Sequence, residues 1–484
     1  SADEAVLTEY ARDTWASFVA MVDPNTGLVS DNIDGDLDPA SRSAYTSPTN
    51  VAMYFWAVIT ARHMGLISRP EARERVAQTL GTLARLDYHE QSGMFYNWYD
   101  PATGDVLRIW PENGNTVYPF LSSVDNGWLG AGLLMVANDM PELKKPAHAV
   151  LDRMDFGFYY DPAARGPDVP AGLIRGGFWD EPLPAGQCTV AANYRGGPNV
   201  YYTCHHYGAF NTEPRIASYL GIAFGQIPEA HYFAGWRTFP DTCDWSWQEQ
   251  KPIGEWVTYM GVPVFEGTYA YRDMHLVPTW GGSMFEALMV PLVVPEETWG
   301  PESWGRNHPL TVQAHIEHGL REAGYGYCGF SPSSNPAGGY REYGVDPIGL
   351  EPNGYASDQE RTLVDYGFPG CRAGAPLPTS YGDGVVTPHA SFLALRYAPE
   401  ASLANLAALR DNFDAYGPGG FYDAVAVRSG TVAKRYLALD QGMIMAAIGN
   451  ALEKDALRTA FTKGPISDLR DLMAMEEWPG VRRD

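Results

Sequence analysis

Residues 4–22, E-A-V-L-T-E-Y-A-R-D-T-W-A-S-F-V-A-M-V, show the pattern that decides the fold class. Apolar side chains recur in this stretch at intervals of three and four residues, which is the spacing of one face of an α-helix. They are Val6, Leu7, Tyr10, Trp15, Phe18 and Val19. Asp23-Pro24-Asn25 then breaks the pattern. The stretch therefore predicts an amphipathic helix with one buried face.

The same periodicity recurs along the chain, and it predicts ten further helices. They lie near 49–65, 70–86, 126–138, 142–155, 211–224, 283–293, 308–323, 401–412, 437–453 and 465–475. Strand character is confined to 254–269 and 421–427, so the pattern favours an all-α fold. Long connections at 87–125, 156–210, 225–282 and 324–400 alternate with short ones, as in a ring of helical hairpins. No linker or composition shift divides the chain, and we expect one domain over residues 1–484.

The composition disfavours some classes of partner and favours carbohydrates. Lys plus Arg is 34 and Asp plus Glu is 58, so the net charge is −24, which disfavours nucleic acid and anionic lipid as partners. Aromatic residues make up 13% of the chain, and such rings pack against the faces of sugars while carboxylates bind the hydroxyls. The sequence contains no run of 18 or more apolar residues, so it predicts no membrane-spanning segment. An oligosaccharide or polysaccharide is the expected partner; oligomeric state stays open.

Cysteine usage and the first residues bear on location. Residues 1–4 lack the basic and apolar regions of a signal peptide, so we expect a mature, secreted or extracellular form. Five cysteines show no zinc spacing, and one or two disulfides with one thiol left over would suit an exported protein. Five thiols in a cytosolic enzyme are the alternative.

Known catalytic motifs exclude several enzyme classes. The chain has no Gly-rich phosphate loop, no H-E-x-x-H and no G-x-S-x-G, which kinases, zinc proteases and lipases require. It has many carboxylates beside aromatic residues. Cleavage of a glycosidic bond needs one carboxyl group that donates a proton and one carboxylate that activates water or attacks carbon.

Nine strings occur in the order in which one known family has them. They are T-S-P-T-N at 46–50, G-M-F-Y-N-W-Y-D at 93–100, S-S-V-D-N-G at 122–127, N-T-E-P-R-I-A-S-Y at 211–219, W-G-G-S-M-F-E at 280–286, residues 330–344, residues 383–388, G-F-Y-D-A at 420–424 and L-D-Q-G at 439–442. The chain thus resembles the putative-glucoamylase domain family, which includes bacterial endo-β-1,2-glucanases and related domains of cyclic β-1,2-glucan synthases. The resemblance implies an (α/α)6 toroid.

The resemblance implies catalytic roles at matching positions. Glu213 is the candidate general acid, and its alternative is a helix cap or dipole partner. Asp125 is a candidate sugar-hydroxyl ligand or helper of the acid, and its alternative is an N-cap. Asp423 is the favoured base, with a turn-closing Asp as its alternative. Asp440 and Glu286 are rival bases, of which Asp440 could instead be an N-cap and Glu286 could be tied to an Arg.

Further positions are candidates for substrate binding. The expected sugar platforms and hydroxyl ligands are Tyr96, Trp98, Trp128, Trp179, Trp280, Tyr340, Arg215, Glu286, Asp440 and Gln441. Trp15 and Trp56 follow helical stripes and are expected in the core. For each arginine candidate, Arg215 and also Arg175 and Arg341, an ordinary salt bridge is the alternative.

Two parts of the sequence contain residue types that bind metal ions. The acidic stretch D-N-I-D-G-D-L-D at 31–38 lacks the Gly and Glu positions of a calcium loop, so a solvated loop is favoured over bound calcium. His315 and His318 lack a third zinc ligand in the sequence. We expect no organic cofactor.

Together these features predict a glycoside hydrolase that cleaves a β-linked glucan, with β-1,2-glucan favoured and inversion expected. The stretch G-F-S-P-S-S-N at 329–335 has Pro where the cyclic-synthase branch has Glu, which favours hydrolysis over cyclisation. The alternatives are an exo-acting glycosidase on another sugar or a furanose polymer, and a non-catalytic glycan-binding toroid. A polysaccharide lyase is disfavoured by the negative charge.

Overall fold

A computed structural model describes residues 1–244, 250–351, 370–371 and 380–484. Two of the long connections expected from the sequence, 225–282 and 324–400, contain residues outside these ranges. Within the described ranges the helices are α1 Ala2–Met21, α2 Pro48–His63, α3 Arg69–Leu83, α4 Ser123–Asp139, α5 Lys144–Leu151, α6 Arg215–Ala223, α7 Met284–Leu288, α8 Glu296–Trp299, α9 Trp304–Glu317, α10 Pro388–Ala394, α11 Pro399–Asn412, α12 Ala438–Leu452, α13 Ala456–Phe461 and α14 Leu469–Met475.

The strands are short. They are β1 Asn32–Asp34, β2 Tyr88–His89, β3 Met94–Phe95, β4 Phe120–Ser122, β5 Tyr160–Asp161, β6 Leu173–Ile174, β7 Gly177–Trp179, β8 Thr189–Ala192, β9 Val200–Thr203, β10 Ile253–Tyr259, β11 Val262–Tyr271, β12 Met274–Leu276, β13 Ser333–Ser334, β14 Tyr340–Arg341, β15 Val385–Val386, β16 Tyr416–Gly417, β17 Gly420–Phe421, β18 Ala424–Ala426, β19 Thr431–Ala433, β20 Arg435–Leu437 and β21 Arg482–Arg483.

Each of the eleven segments with helical periodicity contains a helix, so those predictions are confirmed. The all-α prediction is not confirmed, because the residues that the structure describes are 42% helix and 18% strand. Most of the strands have only two to four residues, which is too short to show an alternating pattern in the sequence. Among the described residues, no helix has both the length and the apolar run needed to cross a bilayer.

Backbone contacts group the chain into two compact units. Unit 1 comprises Ser1–Gly208, Pro214–Ala234 and Tyr436–Leu469, and unit 2 comprises Ala209–Glu213, Gly235–Arg435 and Arg470–Asp484. The expectation of one domain over 1–484 stays a prediction.

Unit 1 is built on apolar helices that pack side by side. Helix α2 contacts α4 and α12, while α12 also contacts α1 and α4 contacts α6. Helix α2 buries every residue from Pro48 to Ala61, as a helix in the centre of a core must. At Gly442 of α12 an added Cβ would lie 2.6 Å from the Cβ of Met53, so glycine lets α12 and α2 approach closely.

The long connections of unit 1 carry a four-stranded antiparallel sheet in the order β4-β7-β9-β8. Phe120 of β4 lies opposite Trp179 of β7, and Phe178 lies opposite Tyr202 of β9. The disulfide Cys188–Cys204 joins the ends of β8 and β9. The sheet therefore fixes the loops that precede α4 and α6.

Unit 2 combines short helices with an antiparallel sheet in the order β10-β11-β12-β21. Helix α7 packs against α9 and α10, α11 packs against α10, and α8 packs against α9. Strands β10 and β11 form a long hairpin from Ile253 opposite Thr268 to Tyr259 opposite Val262. A second disulfide joins Cys243 and Cys371, and Cys328 is a buried free thiol, so the prediction of one or two disulfides with one thiol left over is confirmed.

A buried charge cluster lies in the core of unit 2. The Arg237 guanidinium donates to both carboxylate oxygens of Glu476, from Nε at 2.8 Å and from Nη2 at 2.6 Å, and both side chains are fully buried. Glu266 of β11 is 4% exposed. Burial, together with the negative charge of Glu476, raises the pKa of Glu266 far above its usual range. The cluster therefore holds a neutral carboxyl group beside an ion pair at neutral pH.

Candidate active site

Glu213, the predicted acid, lies in unit 2 in the turn at its boundary, two residues before α6 begins at Arg215. Helix α6 has no side-chain cap and no acidic residue in its first turn, so the alternative role of Glu213 as a cap of this helix is wrong. The Glu213 side chain is partly exposed. A proton donor must reach the substrate, and this side chain is not sealed within apolar packing.

Asp423, the favoured base, is held by groups from distant parts of unit 2. It follows β17 and is 5% exposed. Its Oδ2 accepts a 2.6 Å hydrogen bond from the Ser334 backbone N–H, and its backbone carbonyl accepts one of 2.7 Å from Thr387 Oγ1. The tight turn of this hairpin lies earlier, at Gly417 opposite Gly420, so Asp423 does not close it. The partners instead fix the carboxylate in one orientation.

A neutral histidine lies beside Asp423. One nitrogen of His389 is within 4.8 Å of an Asp423 carboxylate oxygen, and Nδ1 pairs with Thr387 Oγ1 at 2.8 Å. Complete burial lowers the pKa of His389 to about 3, so the ring carries no charge at neutral pH. The ring therefore does not neutralise Asp423.

Glu286 organises a loop. Both of its oxygens accept hydrogen bonds from the chain just before α7: Trp280 N donates at 2.9 Å, Gly281 N at 3.0 Å and Ser283 Oγ at 2.8 Å. Burial raises its pKa to about 7, although these donors act in the opposite direction. These hydrogen bonds from Trp280 N, Gly281 N and Ser283 Oγ hold the Trp280 loop against the Glu286 carboxyl group.

Tyr340 is linked to Asp423 through the β13–β14 hairpin. It is 52% exposed and lies directly opposite Ser334 in the β13–β14 hairpin. Because Ser334 donates to Asp423, this hairpin joins an exposed ring to the candidate base. Trp280 is partly exposed and stays a candidate platform.

In unit 1, Asp125 lies in the first turn of α4. The N-cap of that helix is Ser122, so the N-cap alternative for Asp125 is wrong. Asp125 Oδ1 accepts from Thr49 Oγ1 at 2.5 Å, and Oδ2 accepts from Ser122 Oγ at 2.6 Å. Burial raises the pKa of Asp125, against the effect of these hydroxyl donors.

Asn97 connects Asp125 to an aromatic residue. The amide satisfies its neighbours when its nitrogen donates to Asp125 Oδ2 at 3.0 Å and its oxygen accepts from Trp98 Nε1 at 3.1 Å. The opposite orientation would set the amide oxygen against the carboxylate. Asp125 and Trp98, both candidates from the sequence, are therefore joined through one side chain.

The other platforms of unit 1 divide into exposed and buried rings. Tyr96 and Trp179 are partly exposed; Tyr96 donates to Asp180 Oδ2 at 2.5 Å, and Trp179 packs on Phe120 at 4.7 Å. Trp128 is 1% exposed and packs edge-on against Trp56, 5.5 Å away. Its assignment as a sugar platform is wrong, because no ring face is open to a ligand. Trp56 lies in the core, as predicted.

Three further candidates of unit 1 are buried. Arg215 begins α6, and Asp440 and Gln441 lie in the first turn of α12. The N-cap of α12 is Leu437, so the N-cap alternative for Asp440 is wrong. Gln441 Nε2 donates to Ser17 Oγ at 3.0 Å, which gives it a structural contact.

Arg175 forms an ordinary salt bridge, which is the alternative to its role in substrate binding. Its Nη2 lies 3.2 Å from Asp161 Oδ2, and His206 Nε2 lies 2.8 Å from the same oxygen. Both partners belong to unit 1.

The groups considered as metal ligands have protein partners. His315 Nε2 donates to the Gly282 carbonyl at 3.0 Å, while Nδ1 accepts from Phe330 N at 3.2 Å. Both nitrogens of this ring are thus engaged with the backbone. In the acidic loop, Asp36 and Asp38 accept from backbone N–H groups two residues further on, each at 3.0 Å. These are local turns of the loop.

The sequence did not predict several residues that lie next to the candidate carboxylates and to Trp98. Ser334 and Thr49 lie in strings already quoted and His389 directly follows the string at 383–388, but nothing local marks these residues as neighbours of a carboxylate. Tyr45 and Trp110 lie outside those strings, and the structure places both against Trp98. Their only sequence signal is an aromatic residue in a loop rich in Gly, Pro and Asn.

Residues 256–465 match the family model described as "Putative glucoamylase". The predicted family resemblance is confirmed. Residues 9–158 match a second model, described as "Protein of unknown function (DUF3131)". The chain is also 24% identical, over 616 residues, to the cyclic β-(1,2)-glucan synthase NdvB of Rhizobium meliloti (strain 1021). That alignment covers 99% of this chain and 19% of the synthase, so the chain spans about a fifth of the length of this relative.

Solved structures share the fold over nearly the whole chain. The endo-β-1,2-glucanase of Chitinophaga pinensis, in complex with sophorotriose and glucose, has a TM-score of 0.63 at 17% identity and covers 97% of each chain. The endo-β-1,2-glucanase of Talaromyces funiculosus with sophorose has a TM-score of 0.67 at 13% identity, with coverage of 100% and 92%. A putative glucoamylase of Bacteroides caccae has a TM-score of 0.62 at 18% identity over all of both chains. At these identities the likeness shows a shared fold.

Proposed function

We propose that this chain is a glycoside hydrolase that cleaves a β-linked glucan, with β-1,2-glucan as its substrate. The observation that carries the proposal is the likeness over nearly the whole chain to endo-β-1,2-glucanases solved with sophorotriose and sophorose. The match of 256–465 to the glucoamylase-like model supports the same class. An (α/α)6 arrangement of the helices and a location outside the cell belong to this proposal.

In the proposed reaction, Glu213 gives its proton to the leaving glycosidic oxygen as the bond from that oxygen to the anomeric carbon breaks. A water molecule attacks this carbon from the opposite face of the sugar and passes a proton to Asp423, so the configuration inverts. The partly exposed Glu213 suits the acid, since it can reach a ligand. Asp423 suits the base because the Ser334 N–H at 2.6 Å holds the carboxylate in a set orientation.

Other side chains would hold the substrate. Asp125 binds a sugar hydroxyl, with its carboxylate already oriented by Thr49 and Ser122. Partly exposed rings are available for stacking on pyranose faces; they belong to Tyr96, Trp98, Trp179, Trp280 and Tyr340. Glu286 acts indirectly, because its hydrogen bonds set the position of the Trp280 loop.

The direct test offers the purified protein linear β-1,2-glucan and measures new reducing ends, while NMR identifies the anomer formed first. We expect oligosaccharide products with inverted configuration. Glu213→Gln and Asp423→Asn should each lower kcat by roughly 10²- to 10⁴-fold, the usual contribution of a general acid or base. Glu255→Gln, a change of an exposed carboxylate on β10, is the matched control and should keep full activity.

The outcomes separate the alternatives. Release of single sugars from a chain end would favour an exo-acting glycosidase, and products from an arabinan or fructan alone would change the substrate class. No product from β-1,2-glucan, any other glucan, arabinan or fructan would refute hydrolysis. Binding without turnover in the wild type would favour a glycan-binding protein.

A further inference from the structure

Three aromatic rings of unit 1 form a corner, which we call the aromatic corner: Tyr45, Trp98 and Trp110. The ring centroids of Tyr45 and Trp110 are 4.4 Å apart, those of Trp98 and Trp110 are 5.2 Å apart, and those of Tyr45 and Trp98 are 5.5 Å apart. The planes of Trp98 and Tyr45 are nearly perpendicular, at 88°. All three rings are partly exposed. Rings at such angles can contact a ligand on two of its sides.

Hydrogen bonds to neighbouring side chains hold the aromatic corner in place. Asn32 Nδ2 donates to the Tyr45 hydroxyl at 3.0 Å, and that hydroxyl donates to Glu112 Oε1 at 3.2 Å. Trp98 Nε1 donates to the Asn97 amide oxygen, whose nitrogen binds Asp125. A site whose rings are already fixed loses little conformational entropy when it binds.

The backbone that carries Trp110 is a tight hairpin. Trp110 N donates to the Asn115 carbonyl at 2.7 Å, Gly114 N donates back to the Trp110 carbonyl at 2.8 Å, and Ile109 bridges to Thr116. Ile109, the neighbour of Trp110, is 64% exposed. The hairpin therefore projects into solvent, and its Trp is turned back against Tyr45 and Trp98.

The chemistry around the rings suits a sugar. Glu112, Asp31 and Asn32 supply carboxylate and amide groups beside the rings; Asn32 Nδ2 also donates to Asp31 Oδ1 at 2.9 Å. Apolar faces bordered by carboxylates and amides complement a pyranose, which has apolar C–H faces and a polar edge of hydroxyls. Trp98 was a candidate platform from the sequence, whereas Tyr45 and Trp110 were not.

We infer that the aromatic corner binds one glucosyl unit of the substrate chain and determines affinity for long glucans. This inference rests on the proposed function for the identity of the sugar. The corner acts in binding and takes no part in proton transfer, so its loss changes KM and leaves kcat near that of the wild type.

The test measures kcat and KM on long linear β-1,2-glucan and binding by gel electrophoresis in the presence of the same glucan. Trp110→Ala should raise KM and weaken binding by about tenfold, with kcat within about twofold. Tyr45→Ala removes a second ring of the aromatic corner, so it should also raise KM and weaken binding by about tenfold. Trp256→Ala removes a Trp that is 50% exposed on β10, and this control should change neither value.

Each outcome decides between the two claims. If the wild type cleaves the glucan and Trp110→Ala matches it in KM and binding, the corner is structural packing and the inference fails while the proposed function stands. If the wild type binds the glucan without cleaving it and Trp110→Ala loses binding, the corner stands and hydrolysis fails. If the wild type neither binds nor cleaves the glucan, both fail. If Trp110→Ala does not fold, Tyr45→Ala decides by the same readouts.

Discussion

Replacing Glu266 by Gln should stabilise this protein, and the effect should grow with pH. Glu266 is 4% exposed on β11, beside the buried Arg237–Glu476 pair. Its pKa in the folded chain rises to about 10, first because of burial and second because of the charge of Glu476. The native protein therefore keeps this proton at neutral pH, whereas the unfolded chain, with an ordinary Glu pKa near 4.5, releases it.

The magnitude follows from linkage between proton binding and folding. At pH 7 the cost of holding the proton is about 3 kcal/mol, because the unfolded chain releases this proton above a pKa near 4.5. Glutamine is neutral at every pH and has no such cost. Its second amide hydrogen needs an acceptor in the same cavity, so we expect a net gain of about 2–3 kcal/mol at pH 7.

The sign can be checked over a pH series. Because the folded pKa is raised, wild-type stability falls as pH rises above 4.5 and continues to fall toward about 10. The free energy of urea unfolding, followed by Trp fluorescence at pH 5, 6, 7 and 8, should therefore diverge between the two proteins by about 1.4 kcal/mol for each pH unit. Glu255→Gln, directly opposite on β10 and exposed, is the matched control and should show no such divergence. A constant difference, or a less stable Glu266→Gln at pH 8, would refute the reasoning.

Three further outcomes can be measured. Asp423→Asn should leave glucan binding within about threefold while turnover falls by roughly 10²- to 10⁴-fold; equal losses in binding and turnover would contradict its role as the base. Trp128→Ala should cost about 3–5 kcal/mol in urea unfolding, because a fully buried ring is removed, and should leave KM unchanged below the new melting temperature; a large rise in KM would restore Trp128 as a sugar platform. Replacing both Cys188 and Cys204 by Ser should cost about 3 kcal/mol, since the bond closes a loop with a sequence separation of 16, and an unchanged unfolding midpoint would show that this loop is constrained by other contacts.

Helix prediction succeeded where the signal is local. Helix α1 occupies Ala2–Met21 and matches the stretch at residues 4–22, because residues three and four positions apart lie on the same face of a helix. Helix α6 begins at Arg215, four residues later than its periodic pattern begins, since the chain passes through the Glu213-Pro214 turn first. The two-residue strands were missed because a pair of residues has no measurable period. This holds even where the partner strand is close in sequence, as for β2 and β3.

The aromatic residues show the same division. Trp98 and Trp128 both lie in strings that resemble the family, and the strings mark both as candidates. Trp128 is sealed against Trp56, while Trp98 reaches solvent beside Tyr45 and Trp110. Composition and motif order cannot separate these two rings, because exposure depends on what the rest of the chain packs against each of them.

Local patterns in this chain were enough to establish its helices, its family resemblance and its supply of carboxylates and rings, since periodicity, turn residues and ordered motifs are all written in neighbouring positions. Only the tertiary structure decides which of those carboxylates and rings are oriented and exposed for binding a ligand. Ser334 donates to Asp423 across 89 residues, and Thr49 donates to Asp125 across 76. Hydrogen bonds and ring contacts between such distant positions exist only after the backbone has closed the loops between them, and no spacing in the sequence encodes them.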